Sequence, residues 1–444
     1  MKVLFVAAEL APLAKVGGLG DVVSSLPKAL RQLGHDVRVM MPRYGLINPS
    51  RYLPSPVLDD LGVKFGKTEK PVSLKAIELN NGVMVYLVDN RIFSNSYDVY
   101  GESDLKRFLF FCRAVVEILK YLDWQPDIVH CHDWHSGLIP LWLKKGKCKY
   151  GTIFTIHNLA YQGTFGHRFL SSFGLNGDWQ SWPAGAPKPP LNFMSQGILW
   201  SDILTTVSET YAREIMTPEH GMGLGGLLRF RQKDVFGIIN GLDYDRYNPA
   251  TDSFLVANYD SSMLSNKIFN KLALQRRVGL QENEKVHLIG MVSRFDEQKG
   301  FDILLDAFDS LLENTSAQLV ILGRGREHYQ AKLTEVAESC PQRVAVLVAF
   351  DEAVAQLIYA GCDTFLMPSR FEPCGLGQLM AYRYGTVPIV RHTGGLADTV
   401  QDLADDLKRG TGFVFTDYTP EALLSAIVRA VNAFELEEAW RSVM

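Results

Sequence analysis

The chain alternates short apolar runs with longer segments whose apolar residues recur at helical spacing. Lys2–Ala8 predicts a first strand, and Val22–Leu33 a helix with Val22, Val23, Leu26, Leu30 and Leu33 on one face. Gly34 ends that helix and Val37–Met41 is the second strand. From Leu53 to Asn95 the period changes to short alternating strands such as Val83–Val88, with a hairpin turn at Asn80-Asn81-Gly82. Leu105–Leu122 is a strong helix, and strands follow at Asp127–His130, Gly151–Thr155, Ile203–Val207 and Val235–Ile239. Ser208 caps the helix Ser208–Met216, and Met222–Gly226 is a plain loop. The proline- and tryptophan-bearing stretch 164–195 predicts an exposed loop or lid, whose aromatic residues either stack on a sugar or cover the core.

The pattern restarts after the polar, aperiodic stretch Asp243–Asp252. Strands at Val286–Val292, Gln318–Leu322 and Val344–Val348 alternate with helices at Phe301–Leu312, Tyr329–Ser339 and Glu352–Tyr359. Phe365–Val400 then gives strand, turn, helix, the strand Pro388-Ile389-Val390, and a glycine turn opening another helix. Strands alternating with helices predict parallel sheets covered on both faces, so the fold class is α/β with two domains, residues 1–244 and 245–444. Gly17-Gly18-Leu19-Gly20-Asp21 and Gly394-Gly395-Leu396-Ala397-Asp398 share GGLxD, a weak repeat that predicts equivalent turns in two similar domains.

Composition narrows the function. A net charge of −4 implies no basic surface for nucleic acid or an anionic membrane. Six scattered cysteines without a CxxC pair predict reduced thiols in a cytosolic protein. Glu9 interrupts the first apolar run too early for a signal peptide or membrane span.

Candidate chemistry lies at strand ends, where open α/β sheets bind ligands. Lys15, Asp133, His157, Asn240, Arg294, Lys299, Glu372 and Thr393 stand there. The turns at Glu372-Pro373-Cys374-Gly375 and Thr393-Gly394-Gly395 open helices whose N–H groups suit a diphosphate, whereas Glu372 suits hydroxyls, such as those of a sugar. Arg294 and Lys299 supply positive charge; ion pairs with Asp296 or Glu297 are the structural alternative. The turn at Gly17 lacks GxGxxG spacing, and no acidic residue closes the second strand, which disfavours a dinucleotide; its glycines alternatively serve only a tight turn. Cys374 beside Gly375 could be an activated thiol. His130-Cys131-His132-Asp133-Trp134-His135 does not predict a metal, because strand neighbours point to opposite faces. No Walker A or G-x-S-x-G sequence is present.

KVGGLGDV (Lys15–Val22), HDWH (His132–His135), IHNLAYQG (Ile156–Gly163), NGLD (Asn240–Asp243), SRFDEQKG (Ser293–Gly300), PSRFEPCGL and RHTGGLADTV resemble bacterial glycogen synthases and plant starch synthases, nearly end to end. The KVGG form is similar to cyanobacterial members and some plant classes. The resemblance implies a GT-B fold, two Rossmann-like domains facing a cleft, with the acceptor glucan on the N-terminal side and the donor on the C-terminal side. It implies retaining transfer of glucose from ADP-glucose to the non-reducing 4-OH of an α-1,4-glucan, without cofactor or metal. Lys15, Gly17 and Gly18 would approach the donor, with Asp21 among the substrate-binding residues of that turn. His157 and Asn240 would hold the glucose 6-OH region, Arg294 and Lys299 the leaving ADP, and Glu372 the glucose hydroxyls. Cys374, Gly375, Thr393, Gly394 and Gly395 would complete the cradle, with the cysteine contributing backbone only. Phe350 would lie at the adenine, and Glu9 and Asp133 towards the acceptor. The same resemblance implies a cytoplasmic location, or the plastid stroma for a plant member.

Departures from the family are Gly377, where members commonly have Thr, Phe350 for Tyr, and an end at Met444, where members continue into a helix that returns to the first domain. The competing readings are a UDP-glucose transferase, disfavoured by Met380 where relatives carry a second Glu, an inactive glucan-binding paralogue, and, more distantly, an NAD-linked enzyme.

Overall fold

The apolar runs become strands. A computed structural model describes residues 1–179, 182–403 and 409–444, and the chain divides into two units, Met1–Gly241 and Leu242–Met444.

In the first unit the strands are β1 (Lys2–Val6), β2 (Asp36–Pro42), β3 (Ser55–Phe65), β4 (Thr68–Glu78), β5 (Met84–Asp89), β6 (Ile128–His132), β7 (Gly151–Ile156), β8 (Ile203–Thr206) and β9 (Val235–Gly237). They form one sheet in the order β3-β4-β5-β2-β1-β6-β7-β8-β9. Pairing is parallel from β5 through β9, whereas β3, β4 and β5 meet antiparallel, with Gly82 at φ 77° in the predicted hairpin turn. Alternate residues of β1 face opposite layers. Leu4 and Val6 join one core with Phe108, Phe111 and Phe154, while Val3 and Phe5 join another with Val23, Val37 and Val39. A strand buried on both faces is what the unbroken apolar run Val3–Ala8 requires.

The second unit repeats the plan with β10 (Leu288–Val292), β11 (Gln318–Gly323), β12 (Val344–Val348), β13 (Thr364–Met367), β14 (Val387–Arg391) and β15 (Phe413–Phe415), all parallel, in the order β12-β11-β10-β13-β14-β15. Leu319 and Ile321 face one layer, and Val320 and Leu322 the other. Counted within the unit, this is the doubly wound 3-2-1-4-5-6 order. Its crevice opens at the carboxyl ends of β10 and β13, where the strand order reverses. The corresponding point in the first unit lies between β1 and β6.

Four local expectations are corrected. The stretch 164–195 is irregular only in part, and its residues 180 and 181 lie outside the described residues. It carries a helix at His167–Phe173, Phe165, Leu170 and Trp179 are buried, and Trp182 packs against the same core, so its aromatics cover the core. The predicted helix Phe301–Leu312 is two helices, Phe301–Asp306 and Phe308–Asn314, broken at Ala307. The loop at Met222–Gly226 runs into a helix at Gly225–Phe230. The GGLxD turns are not equivalent either. One follows β1, the first strand of its unit, and the other follows β14, the fifth of its own, so the likeness is local.

Candidate active site

At the β1–β6 switch point the chain leaves β1 through Glu9. Its side chain is buried, and both oxygens are engaged: Oε2 accepts from the N–H of Val16 at 2.7 Å and of Gly17 at 2.8 Å, and Oε1 from the Tyr100 hydroxyl at 2.5 Å. Glu9 therefore pins the Lys15–Gly17 turn. Lys15 Nζ meets Asp21 Oδ1 at 2.7 Å. Gly17 caps the helix Gly18–Gln32 with ordinary extended backbone, and a Cβ added there would meet nothing within 4 Å. Neither strain nor packing demands glycine at this position. What glycine leaves is open space beside a helix N-terminus, where a ligand can approach closely.

Beyond β6, Asp133 adopts φ 55° and ψ 179°, a region that costs a non-glycine residue about 1–3 kcal/mol. Its Oδ1 accepts from the N–H of His157 at 2.8 Å and of Asn158 at 3.4 Å, which fixes the turn after β7. Burial outweighs these bonds and pushes the Asp133 carboxyl up to about 7. Four imidazoles crowd the same strand ends. His130 stacks on His132 with centroids 4.2 Å apart, and His132 Nδ1 lies 2.9 Å from His157 Nε2. His135 stacks on the Tyr100 ring at 5.1 Å. Burial pushes His130, His135 and His157 each down to about 3, and His132 well below its ordinary value. They stand as neutral rings. The described residues contain no group of three or more His, Cys, Asp or Glu side chains arranged to hold a metal. Asn240 is half-buried just past β9.

In the second unit, the β10 turn and the β13 turn meet. Lys299 Nζ lies 2.5 Å from Glu372 Oε2, and the Ser369 hydroxyl donates to the same oxygen at 3.0 Å. Asp296 and Glu297, the anticipated ion-pair alternatives for Arg294 and Lys299, both reach Arg326, at 3.3 and 3.2 Å, while Lys299 pairs with Glu372. Arg294 is exposed. Gly300, at φ 75°, brings the lysine turn onto β13's end, where an added Cβ would lie 2.0 Å from the Pro368 carbonyl oxygen. At Gly394, at φ 45°, an added Cβ would lie equally close to the Glu372 carbonyl oxygen, and the Gly395 N–H donates to the Glu372 and Pro373 carbonyls at 3.1 and 3.2 Å. That amide is consumed by the neighbouring turn, which corrects the picture of two fully open anion-binding turns. Thr393 caps the helix Gly394–Thr399 and is buried. Cys374 is buried, and its carbonyl and that of Gly375 (φ 75°) accept from Gln378 Nε2 at 2.9 and 3.0 Å. Gly377 opens the helix Gly377–Arg383, and a Cβ there would lie 2.7 Å from the Phe365 ring, so the missing hydroxyl accompanies tighter packing. Phe350, after β12, is 84% exposed, unusual for so large an apolar ring.

The predicted residues thus gather into Glu9–Lys15–Gly17–Asp21 and Asp133–His157 in the first unit, and Lys299–Glu372 with Cys374, Gly375 and Thr393–Gly395 in the second. Sequence reasoning missed Tyr100, His132 and Ser369. Two of these lie inside motifs already noted, HCHDWH and PSRFEPC, but nothing local marked Tyr100, which is 91 residues from Glu9.

Known proteins resemble this chain across both units. The family model of the starch synthase catalytic domain matches residues 2–230, and that of glycosyl transferases group 1 matches residues 275–442. The chain is 45% identical to a glycogen synthase of Geotalea daltonii and 42% identical to one of Thermotoga maritima, in each case over 100% of this chain and 94% of the relative. The solved catalytic domain of Starch Synthase IV from Arabidopsis thaliana, bound to ADP and acarbose, matches with a TM-score of 0.91 at 36% identity, over 99% of this chain and 94% of that one. A sucrose-phosphate synthase from Thermosynechococcus elongatus, at 15% identity and a TM-score of 0.60, shares the fold alone.

Proposed function

The chain belongs to the glycogen and starch synthase family of GT-B glycosyltransferases, and from that premise we propose that it takes ADP-glucose as donor and extends the non-reducing end of an α-1,4-glucan. The observation that carries the reading is the Lys299–Glu372–Ser369 cluster at the second unit's switch point. It sets a cation and a carboxylate side by side where a nucleotide sugar has both phosphates and hydroxyls to place. The Arabidopsis relative's ADP and acarbose support the pairing of an adenine diphosphate with a glucan-like acceptor.

In the proposed reaction the bond between glucose C1 and the β-phosphate oxygen breaks. The acceptor's O4 bonds to C1 on the same face, and its proton passes to the departing phosphate oxygen. Lys299 and Arg294 stabilise the charge that develops on the diphosphate. Glu372 accepts from glucose hydroxyls and keeps Lys299 in place. Lys15 and the open space at Gly17 admit the donor's phosphate or glucose. His157, a neutral ring, contributes a hydrogen bond near the sugar's 6-position, with Asn240 beside it. The Phe350 ring supplies a stacking face for adenine. Asp133 acts through the backbone of His157 and Asn158. No cofactor is invoked. Among the described residues no helix is long and apolar enough to cross a membrane. Six free cysteines suit a reducing cytoplasm, where we place the protein.

The test supplies ADP-glucose labelled in the sugar to the protein with glycogen, then digests the product with β-amylase. Label released as maltose supports the proposal. Label that stays out of the polymer, or resists digestion, refutes it.

A further inference from the structure

His157 is held from two sides by consecutive residues. Asp133 takes its backbone N–H, and His132 meets its ring, Nδ1 to Nε2, at 2.9 Å. Neither ring is charged near neutral pH, so one must donate and the other accept. The remaining nitrogens decide which. His132 Nε2 is sealed from solvent and has no partner among the described residues. If His157 were the donor, His132 would have to carry its own proton on that nitrogen, as a buried N–H with nothing to accept it. If His132 donates from Nδ1, its Nε2 is a bare lone pair instead. Orphaned buried donors are rarer in folded proteins than under-used acceptors. The second arrangement also puts a proton on His157 Nδ1, which has no protein partner among the described residues and is not sealed.

Packing holds His132 to this task. Its ring lies between those of His130, at 4.2 Å, and Phe5, at 5.0 Å. His130 in turn is tied to Thr155 Oγ1 at 2.6 Å. The ring therefore cannot swing to offer its other nitrogen without breaking a stack.

We propose that His132 is a positioning residue whose Nδ1–H fixes His157 in the tautomer that presents Nδ1–H outward, to an oxygen of the bound nucleotide sugar. This rests on the reading of His157 as a substrate contact. The tautomer itself can be read without any donor.

The first measurement is a multiple-bond proton–nitrogen NMR spectrum of histidine-labelled, unliganded protein. The expected result is a protonated Nδ1 and a bare Nε2 on His157; the reverse tautomer overturns the proposal. The second measurement compares His132→Asn with His132→Leu. Asparagine places an amide N–H near the lost Nδ1 but leaves a larger void, whereas leucine fills the space and cannot donate. Positioning predicts that His132→Leu loses about tenfold or more in kcat, as small misplacements of reacting groups do, while His132→Asn stays within about threefold. In His132→Leu the His157 signal should also become a mixture of tautomers. A merely structural role predicts the opposite order, with asparagine the worse variant, and that order refutes the proposal. If ADP-glucose proves not to be the donor but the tautomer is as stated, the donor assignment alone fails.

Discussion

Removing one partner of the Lys299–Glu372 pair tests whether that pair is a single electrostatic unit. At 2.5 Å and an effective dielectric of ~20, the gross attraction is roughly 6–7 kcal/mol. Lys299 is 18% exposed and Glu372 only 8%, so desolvation cancels most of that gain. The asymmetry on breaking the pair is what can be measured. Glu372→Gln leaves a lysine charge mostly out of water, and Lys299→Met leaves a carboxylate with only Ser369, among the described residues, to donate to it. Each single variant should lose about 3 kcal/mol of unfolding free energy, at the lower end for buried pairs because Lys299 still touches water. The double variant should lose much less than the sum, giving a coupling of about 2 kcal/mol. Urea denaturation followed by a probe in the second unit, with m checked to stay constant, supplies the four free energies of the cycle. Additive losses, with coupling under ~0.5 kcal/mol, would show that the two groups act independently. The same single variants should lower kcat by roughly 10²–10³-fold through lost charge stabilisation.

Acid should destabilise the first unit through its imidazoles. Below an ordinary value of 6.5 the unfolded chain protonates His130, His132, His135 and His157, which stay neutral when folded. Asp133 opposes this with one proton bound preferentially in the folded state between 3.8 and about 7. Net uptake on unfolding is ~3 protons, so stability should fall by roughly 4 kcal/mol per pH unit as pH drops from ~6 towards ~4. Chemical denaturation at stepped pH reads this slope, and a flat profile from pH ~7 to ~5 contradicts the neutral cluster. Gly17→Ala should leave stability within ~0.5 kcal/mol yet raise the donor KM, because the space it fills is open; Gly394→Ala should cost about 2 kcal/mol or more, because the Cβ meets backbone at a positive φ. The reverse pattern in thermal unfolding and kinetics would overturn both assignments. Phe350→Ala should leave folding unchanged and weaken donor binding by about 1–3 kcal/mol, as lost base stacking does. Equal donor affinity in a binding titration would remove Phe350 from the site.

What could be read from the sequence was periodic or local. Unbroken apolar runs such as Leu319–Leu322 gave buried parallel strands, and strand-end glycine turns marked where the sheets open. Ser208 was legible as a cap because its bond to the Tyr211 N–H spans three residues. What escaped was non-local or conformational. The pairing of Lys299 with Glu372 spans 73 residues, and the acids beside Lys299 in sequence turn to Arg326 instead. The resemblance put Glu9 towards the acceptor, but nothing in the sequence showed that its carboxylate would be held by the Tyr100 hydroxyl, brought up from far along the chain. The left-handed backbone of Asp133 leaves no trace in residue type. GGLxD misled because a short string records a local turn and not the position of its strand in the sheet.

The central claim is that the Lys299–Glu372 site serves an adenine nucleotide sugar. Its most direct measurement is kcat/KM for glucose transfer to glycogen from ADP-glucose and from UDP-glucose, run side by side on the wild type and on Lys299→Met. A clear preference for ADP-glucose that Lys299→Met reduces at least tenfold in rate is the predicted result. Equal or better use of UDP-glucose, or a variant as fast as the wild type, would contradict it.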